Sequence, residues 1–306
     1  MLRPSPPNKT PRRERGLALV AVLWITAALA ALALSLSQMT RTDTRVVQVH
    51  KQTTEARALG DGAIAVAAAW LWNHGPSLVA LERREVTVGQ TPVSVEIVPV
   101  TGLIDINHAE AELLELLFRI GANLPPAEAR QLAERVIAWR SPPDGELAAS
   151  GDDSDFRHAP FYTVDDLRQV PGITPDIYAS VSRLLVAHWS VYQIMVDPAS
   201  APLAVLEVLA DGDHQLASQL ALARDEARDE GQARVDFSAL SAEQIGQGAG
   251  TSVFRLDAVV TFENGRRYRR TAWVNTSPRG GQGQGGAGAT PWHIWQVESL
   301  RSMPRD

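Results

Sequence analysis

Hydrophobic and polar positions change rhythm several times along this chain. From Leu17 to Thr40 a run of 24 residues carries no charge, and it follows directly on a basic leader ending at Gly16. At about 1.5 Å per residue, such a run is long enough as a helix to cross a hydrocarbon core of about 30 Å. From Arg41 to about Asn73 the apolar positions narrow to one face. Ala56, Leu59, Ala63, Val66, Ala67 and Trp70 recur at spacings of three and four, as on an amphipathic helix. Asn73-His74-Gly75-Pro76 then supplies stop signals. The pattern predicts a single long helix, apolar all round in its first half and one-sided in its second. Two helices meeting near Arg41–Arg45 fit the same pattern.

The rhythm then shortens to two. Glu85–Val88 and Pro92–Val100 are β-branched and partly alternating, separated by Gly89-Gln90. Comparable runs return only near the C-terminus: Val253–Phe262, then Arg267–Val274 after Asn264-Gly265, which predicts a two-residue hairpin turn. Trp292–Val297 adds a further strand. One helix with an antiparallel sheet that is split in sequence predicts an α+β head carrying an inserted domain. The boundaries read as a leader at 1–16, an apolar helix at 17–40, head segments at 41–104 and 248–306, and an insertion at 105–247.

The insertion has helical periodicity and an internal repeat. Asp105–Leu117 (DINHAEAELLELL) is echoed by Asp197–Leu209 (DPASAPLAVLEVL). Asn107 and Asp197 are placed to cap the helices that follow, a side-chain oxygen accepting free N–H groups of the first turn. Pro126–Arg140 is matched in the later copy by Gln215–Arg228. Between the copies, Val164–Val186 reads as a two-helix unit hinged at Pro171-Gly172-Ile173, and Trp139 and Trp189 fall at helix ends as core candidates.

Charge divides the chain. The net of −6 conceals a leader, residues 1–16, with five Lys/Arg and one Glu, so the leader is +4 and the remainder −10. Basic charge on the short side of an apolar helix predicts that this end stays cytoplasmic and the acidic body is exported. An acidic body also argues against nucleic acid as the main partner, because phosphate binding depends on Lys and Arg. The three helical hairpins, at Ile120–Asn123, Val170–Asp176 and Ala210–Asp213, are glycine-containing like phosphate-binding ones. Two of them hold acids in or beside the turn, which favours a packing role. There is no cysteine, hence no disulfide or thiolate metal site.

Two loops carry candidate chemistry. Gly280–Gly288 is rich in glycine but lacks the Gly-Lys-Ser/Thr ending of a phosphate loop, and reads as a connection between strands. Ser141–His158 carries Asp144, Glu146, Asp152, Asp153 and Asp155. Clustered carboxylates can supply the six to eight oxygen ligands of Ca²⁺, although the spacing is not that of an EF-hand; a solvated acidic loop is the other reading. The seven histidines show no paired metal spacing, and no serine lies in a G-x-S-x-G turn, so no catalytic constellation is found.

The apolar run is longer than the core of a secretory signal peptide, which leaves a plain signal anchor or a class III signal cut before the helix. Arg15-Gly-Leu-Ala-Leu-Val-Ala-Val-Leu-Trp24 resembles the class III leader of type IV pilins and pseudopilins. Gly-Leu-Ile-Asp-Ile-Asn-His-Ala (102–109), Val136–Arg140, the acidic loop, Pro160–Leu167 and Val170–Ile173 resemble motifs of the K minor pseudopilins of type II secretion, with His108 where the family has threonine. The resemblance implies cleavage after Gly16 by prepilin peptidase, methylation of the new terminus at Leu17, and Ala21 in place of the usual pilin glutamate. It implies a pilin-like α+β fold: a long N-terminal helix packed on an antiparallel sheet, with a large inserted all-α domain of SAM-like, helix-hairpin-helix units. It further implies a non-enzymatic place at the pseudopilus tip with I- and J-type minor pseudopilins. The single pass would lie in the inner membrane with the C-terminal domain in the periplasm, and calcium would bind in the insertion. A membrane-anchored DNA-uptake protein using the hairpins, and a plain signal-anchored periplasmic scaffold, are the alternatives.

Overall fold

The computed structural model describes residues 15–74, 80–141, 157–187, 195–229, 235–240, 245–246, 251–277 and 293–303. Helix α1 runs from Arg15 to His74 without a break, as one element of 60 residues. The chain divides into two compact units, Met1–Ala56 and Arg57–Asp306.

The first unit carries exposed apolar side chains on α1. Leu19, Val20, Val22, Leu23, Trp24, Ile25, Leu29 and Leu32 are all exposed, Leu19 by 74% and Trp24 by 70%. Thr26 interrupts this surface without leaving a free hydroxyl, since its Oγ1 donates to the Leu23 carbonyl at 2.9 Å. Among the described residues no helix is long and apolar enough to cross a membrane.

In the second unit the strands are β1 (Glu82–Val88), β2 (Thr91–Pro99), β5 (Val253–Thr261), β6 (Arg267–Asn275), β7 (His293–Val297) and β8 (Arg301–Met303). They form one antiparallel sheet in the order β1-β2-β5-β6-β7, with β8 also pairing β6. The β1–β2 loop is the expected two residues, Gly89-Gln90, with Gly89 at φ +65°. The β5–β6 turn differs from expectation. Gly265 N–H closes a turn on the Phe262 carbonyl, and Phe262 N–H donates to the Arg266 carbonyl, giving a three-residue loop with Gly265 at φ +74°. Glycine therefore fills the left-handed position of a turn-plus-bulge, not the second place of a two-residue turn. Strand β7 lies within the expected Trp292–Val297, while β8, of three residues, is too short for periodicity to reveal.

Strand alternation gives the sheet two unlike faces. Val93, Val95, Ile97, Phe254, Leu256, Ala258, Val260, Ala272 and Val274 form one core with Ala63, Ile64, Ala67, Ala68 and Leu71 of α1. Val66, expected on this helical face, is instead exposed, and Ile64 and Leu71 take the buried places. Asp61 fixes the helix to the sheet through Arg270, Nε to Oδ1 at 2.6 Å. On the alternate positions, Arg255, Asp257, Thr271 and Trp273 are also buried.

Residues 100–252 lie between the neighbouring strands β2 and β5 and build a second, larger core. Helix α2 (Ala111–Leu116) continues through a π-helical turn, Leu117–Gly121, and pairs with α3 (Pro126–Arg140). A 3₁₀ segment at Val164–Gln169 and α4 (Pro175–Val181) follow, then α5 (Leu203–Leu209) and α6 (His214–Asp229). The pattern did not predict that two short strands, β3 (Ile104–Asp105) and β4 (Leu185–Val186), pair in parallel at the entry to this core. Phe118, Trp139, Phe161, Leu185 and Leu206 are among its buried members, and Trp273 of β6 belongs to it too. Trp189 and the Gly280–Gly288 loop lie outside the described residues.

Candidate functional site

The two repeat segments share the register in which the sequence pairs them, the helices starting at Ala111 and Leu203. Asp105 and Asp197 are the equivalent positions, both buried. Each accepts the N–H two residues on, Asn107 to Asp105 Oδ1 at 2.9 Å and Ala199 to Asp197 Oδ1 at 3.0 Å. The sequences Ile-Asp-Ile-Asn-His-Ala (104–109) and Val-Asp-Pro-Ala-Ser-Ala (196–201) are thus two copies of one Asx turn. In each copy an arginine of the second helix closes the turn: Arg140 donates to the carbonyls of Ile106 and Ala109, and Arg224 to that of Ala201. Burial lowers the Arg140 pKa, with Asp105 opposing that shift. Gly102 lies where the copies meet; a Cβ there would come within 2.0 Å of the Ser200 carbonyl oxygen.

The expected capping roles are therefore corrected. Helix α2 begins after Glu110 and α5 after Pro202, neither start carrying a side-chain cap bond. Asn107 serves the loop instead. Its Nδ2 donates to the Phe161 carbonyl at 2.9 Å, and its Oδ1 accepts the Phe161 N–H at 2.8 Å. A side-chain amide paired in both directions with a backbone residue 54 positions away cannot be recognised from local spacing. His108 bonds Asp105 Oδ2 through Nδ1 at 2.8 Å.

This clamp holds the base of the acidic loop. Phe161 is fully buried against Trp139, ring centroids 6.5 Å apart. The Ala159 N–H donates to the Trp139 carbonyl at 3.1 Å, and His158 Nδ1 lies 2.9 Å from the Ser141 carbonyl oxygen. Arg157 pairs with Asp166 at 3.6 Å. Both ends of the loop are thereby pinned together. Asp144, Glu146, Asp152, Asp153 and Asp155 themselves lie outside the described residues. Among the described residues no group of three or more His, Asp or Glu could hold a metal.

The hairpin turns are occupied by protein. At the hairpin of the later repeat copy, Asp211 pairs with Arg119 of the earlier copy, and a Cβ on Gly212 would lie 2.9 Å from Ile120 Cδ1. A Cβ on Gly172 would lie 2.4 Å from Arg135 Nη1. The turn amides are already donated: Ala122 to Phe118, Ile173 to Val170, Gly212 to Glu207 and Asp213 to Ala210. These are the N–H groups a phosphate would take.

Of the leader positions, Gly16 and Leu17 lie in the first turn of α1, and Ala21 is exposed on it. No family model matches the chain, and no curated protein matches it significantly. Among solved structures, it is similar to the GspK-GspI-GspJ complex of the Type 2 Secretion System from enterotoxigenic Escherichia coli. The identity is 14% and the TM-score 0.47, with 84% of this chain and 99% of that chain covered.

Proposed function

We propose that this chain is a minor pseudopilin of the K type, a non-enzymatic component at the tip of a type II secretion pseudopilus, assembled with I- and J-type partners. The observation that supports this reading is how one uninterrupted helix divides its work. Its far end is buried under a sheet, while between Leu19 and Leu32 eight large apolar side chains are exposed. An apolar surface of that extent calls for lipid or the helices of partner subunits. The leader ahead of it is +4, so the N-terminus would stay in the cytoplasm and the body in the periplasm of an inner-membrane protein.

Ala21 supports the tip position within this reading. In a pilin stack a buried glutamate of one subunit pairs with the terminal amine of its neighbour, a strong interaction once both are desolvated. A chain with Ala21 offers no such carboxylate to another subunit. The second core, built from residues between β2 and β5, adds bulk on the sheet that fits a filament end better than a packed shaft.

In this reading prepilin peptidase cuts after Gly16, and the amine of Leu17 is methylated. Mass spectrometry of the mature N-terminus from membranes tests this directly. The expected species begins at Leu17 and carries one extra methyl group. A mature chain still containing Arg12–Gly16 refutes the pseudopilin route and leaves the plain signal anchor.

A further inference from the structure

The polar face of the sheet is covered by the Val164–Val186 segment, and between them lies a cavity of about 290 Å³. Its lining contains five arginines (168, 183, 255, 269 and 301) and three acids (Asp165, Asp257, Glu298), a local charge of +2 in a body of −10. Each acid already has partners. Asp257 receives Arg255 Nε at 2.9 Å and Thr271 Oγ1 at 2.5 Å. Asp165 accepts the Tyr178 hydroxyl, and Glu298 accepts Trp273 Nε1 at 3.3 Å.

The donors are not balanced in the same way. Arg269 Nε and Ser182 Oγ are buried atoms without a hydrogen-bond partner among the described residues. Arg183 reaches Asp257 only at 3.8 Å, while its own carbonyl accepts Arg255 Nη1 at 2.6 Å. Burial lowers the pKa of both Arg183 and Arg269, with Asp257 opposing the shift in each case. Burial alone would push the Asp257 carboxyl up, yet Arg255, Thr271, Arg183 and Arg269 hold it below the usual carboxylate range. That acid is therefore a fixed anion, fully counted in the +2. A buried donor left unmade costs free energy that an incoming acceptor would recover.

We infer that this cavity is a binding site for a small doubly charged oxyanion, held by Arg269, Arg183 and the Ser182 hydroxyl. A dianion matches the local charge. Its oxygens suit the forked guanidinium geometry and supply acceptors for the two unpartnered donors. The ligand would bridge β6 to the segment just before β4, tying the sheet to the second core.

The test is equilibrium dialysis of the full chain in detergent with labelled inorganic phosphate, and separately with labelled malonate, against chloride at equal ionic strength. Saturable binding of one equivalent is expected for at least one of the two, and the preferred anion distinguishes tetrahedral from dicarboxylate chemistry. Loss of one charge-assisted donor should weaken binding about tenfold or more in Arg269→Gln, while Arg266→Gln, on the exposed β5–β6 turn, leaves it unchanged. Should Arg269→Gln fail to fold by circular dichroism, Ser182→Ala and Arg301→Gln carry the same test with smaller losses. Absence of saturable binding to both anions overturns the proposal, as does binding that no cavity variant weakens.

Discussion

Substitutions at Asn107 separate two physical roles for one side chain. As a helix cap, Asn107 would be replaceable by Asp, an equally good capping residue, and Asn107→Ala would cost about 1 kcal/mol. In the structure it instead donates to and accepts from the Phe161 backbone, beside the fully buried Phe161 ring. Asn107→Ala removes two hydrogen bonds of about 1 kcal/mol each and leaves a backbone pair unsatisfied, so the expected loss is about 2–4 kcal/mol. Asn107→Asp is the sharper test. It keeps the acceptor for the Phe161 N–H but sets a carboxylate oxygen against the Phe161 carbonyl, so most of the loss should persist. Urea unfolding followed by tryptophan fluorescence suits the measurement, because Trp139 lies 6.5 Å from the Phe161 ring. Hydrogen exchange should show faster exchange at the Phe161 amide and little change in the first turn of α2. An Asn107→Asp protein as stable as wild type, with Asn107→Ala costing about 1 kcal/mol, would refute the clamp and restore the cap.

Two further outcomes are expected. Calcium should bind the acidic loop of the full chain: calorimetry should give binding heat, and a concentration of about 100 times the dissociation constant should stabilise the fold by about 2.7 kcal/mol. Asp152→Asn with Asp153→Asn should abolish both, and absence of heat and of any melting shift in the wild type rejects the site. Burial, then the hydrogen bond and charge of Asp165, push the Tyr178 pKa up to about 12. A raised pKa means its contribution to stability is full below the unfolded value of about 10 and is lost as pH rises through about 12. Ultraviolet titration should show a step near pH 12 that Tyr178→Phe removes; a titration unchanged by Tyr178→Phe at that pH contradicts this assignment.

Much of the architecture was legible because it is written in local periodicity. The unbroken apolar run, the amphipathic continuation, and the alternation in β1, β2, β5 and β6 each depend on neighbours within a few residues. So does the proline start of α3 at Pro126. The basic leader, Gly16 and Ala21 are likewise local, and they carry most of the functional proposal. The repeat and its register, Asp105 with Asp197, were visible too, but the roles were not: Asn107 and Asp197 are both good capping residues, and only the backbone shows that neither caps a helix.

What tertiary structure alone decided is where polar side chains go. Alternation on β5 and β6 assigns Arg255, Asp257, Arg269 and Thr271 to the face away from α1, which in an isolated sheet would be water. The segment between Val164 and Val186 covers that face, so these groups must find partners within the protein, and those that do not define the cavity. Asn107 met Phe161, and Arg140 met the Asp105 turn, through chain closure across tens of residues. Sequence spacing records period and propensity; long-range pairing depends on which faces the packed elements turn toward one another, and no local window contains that information.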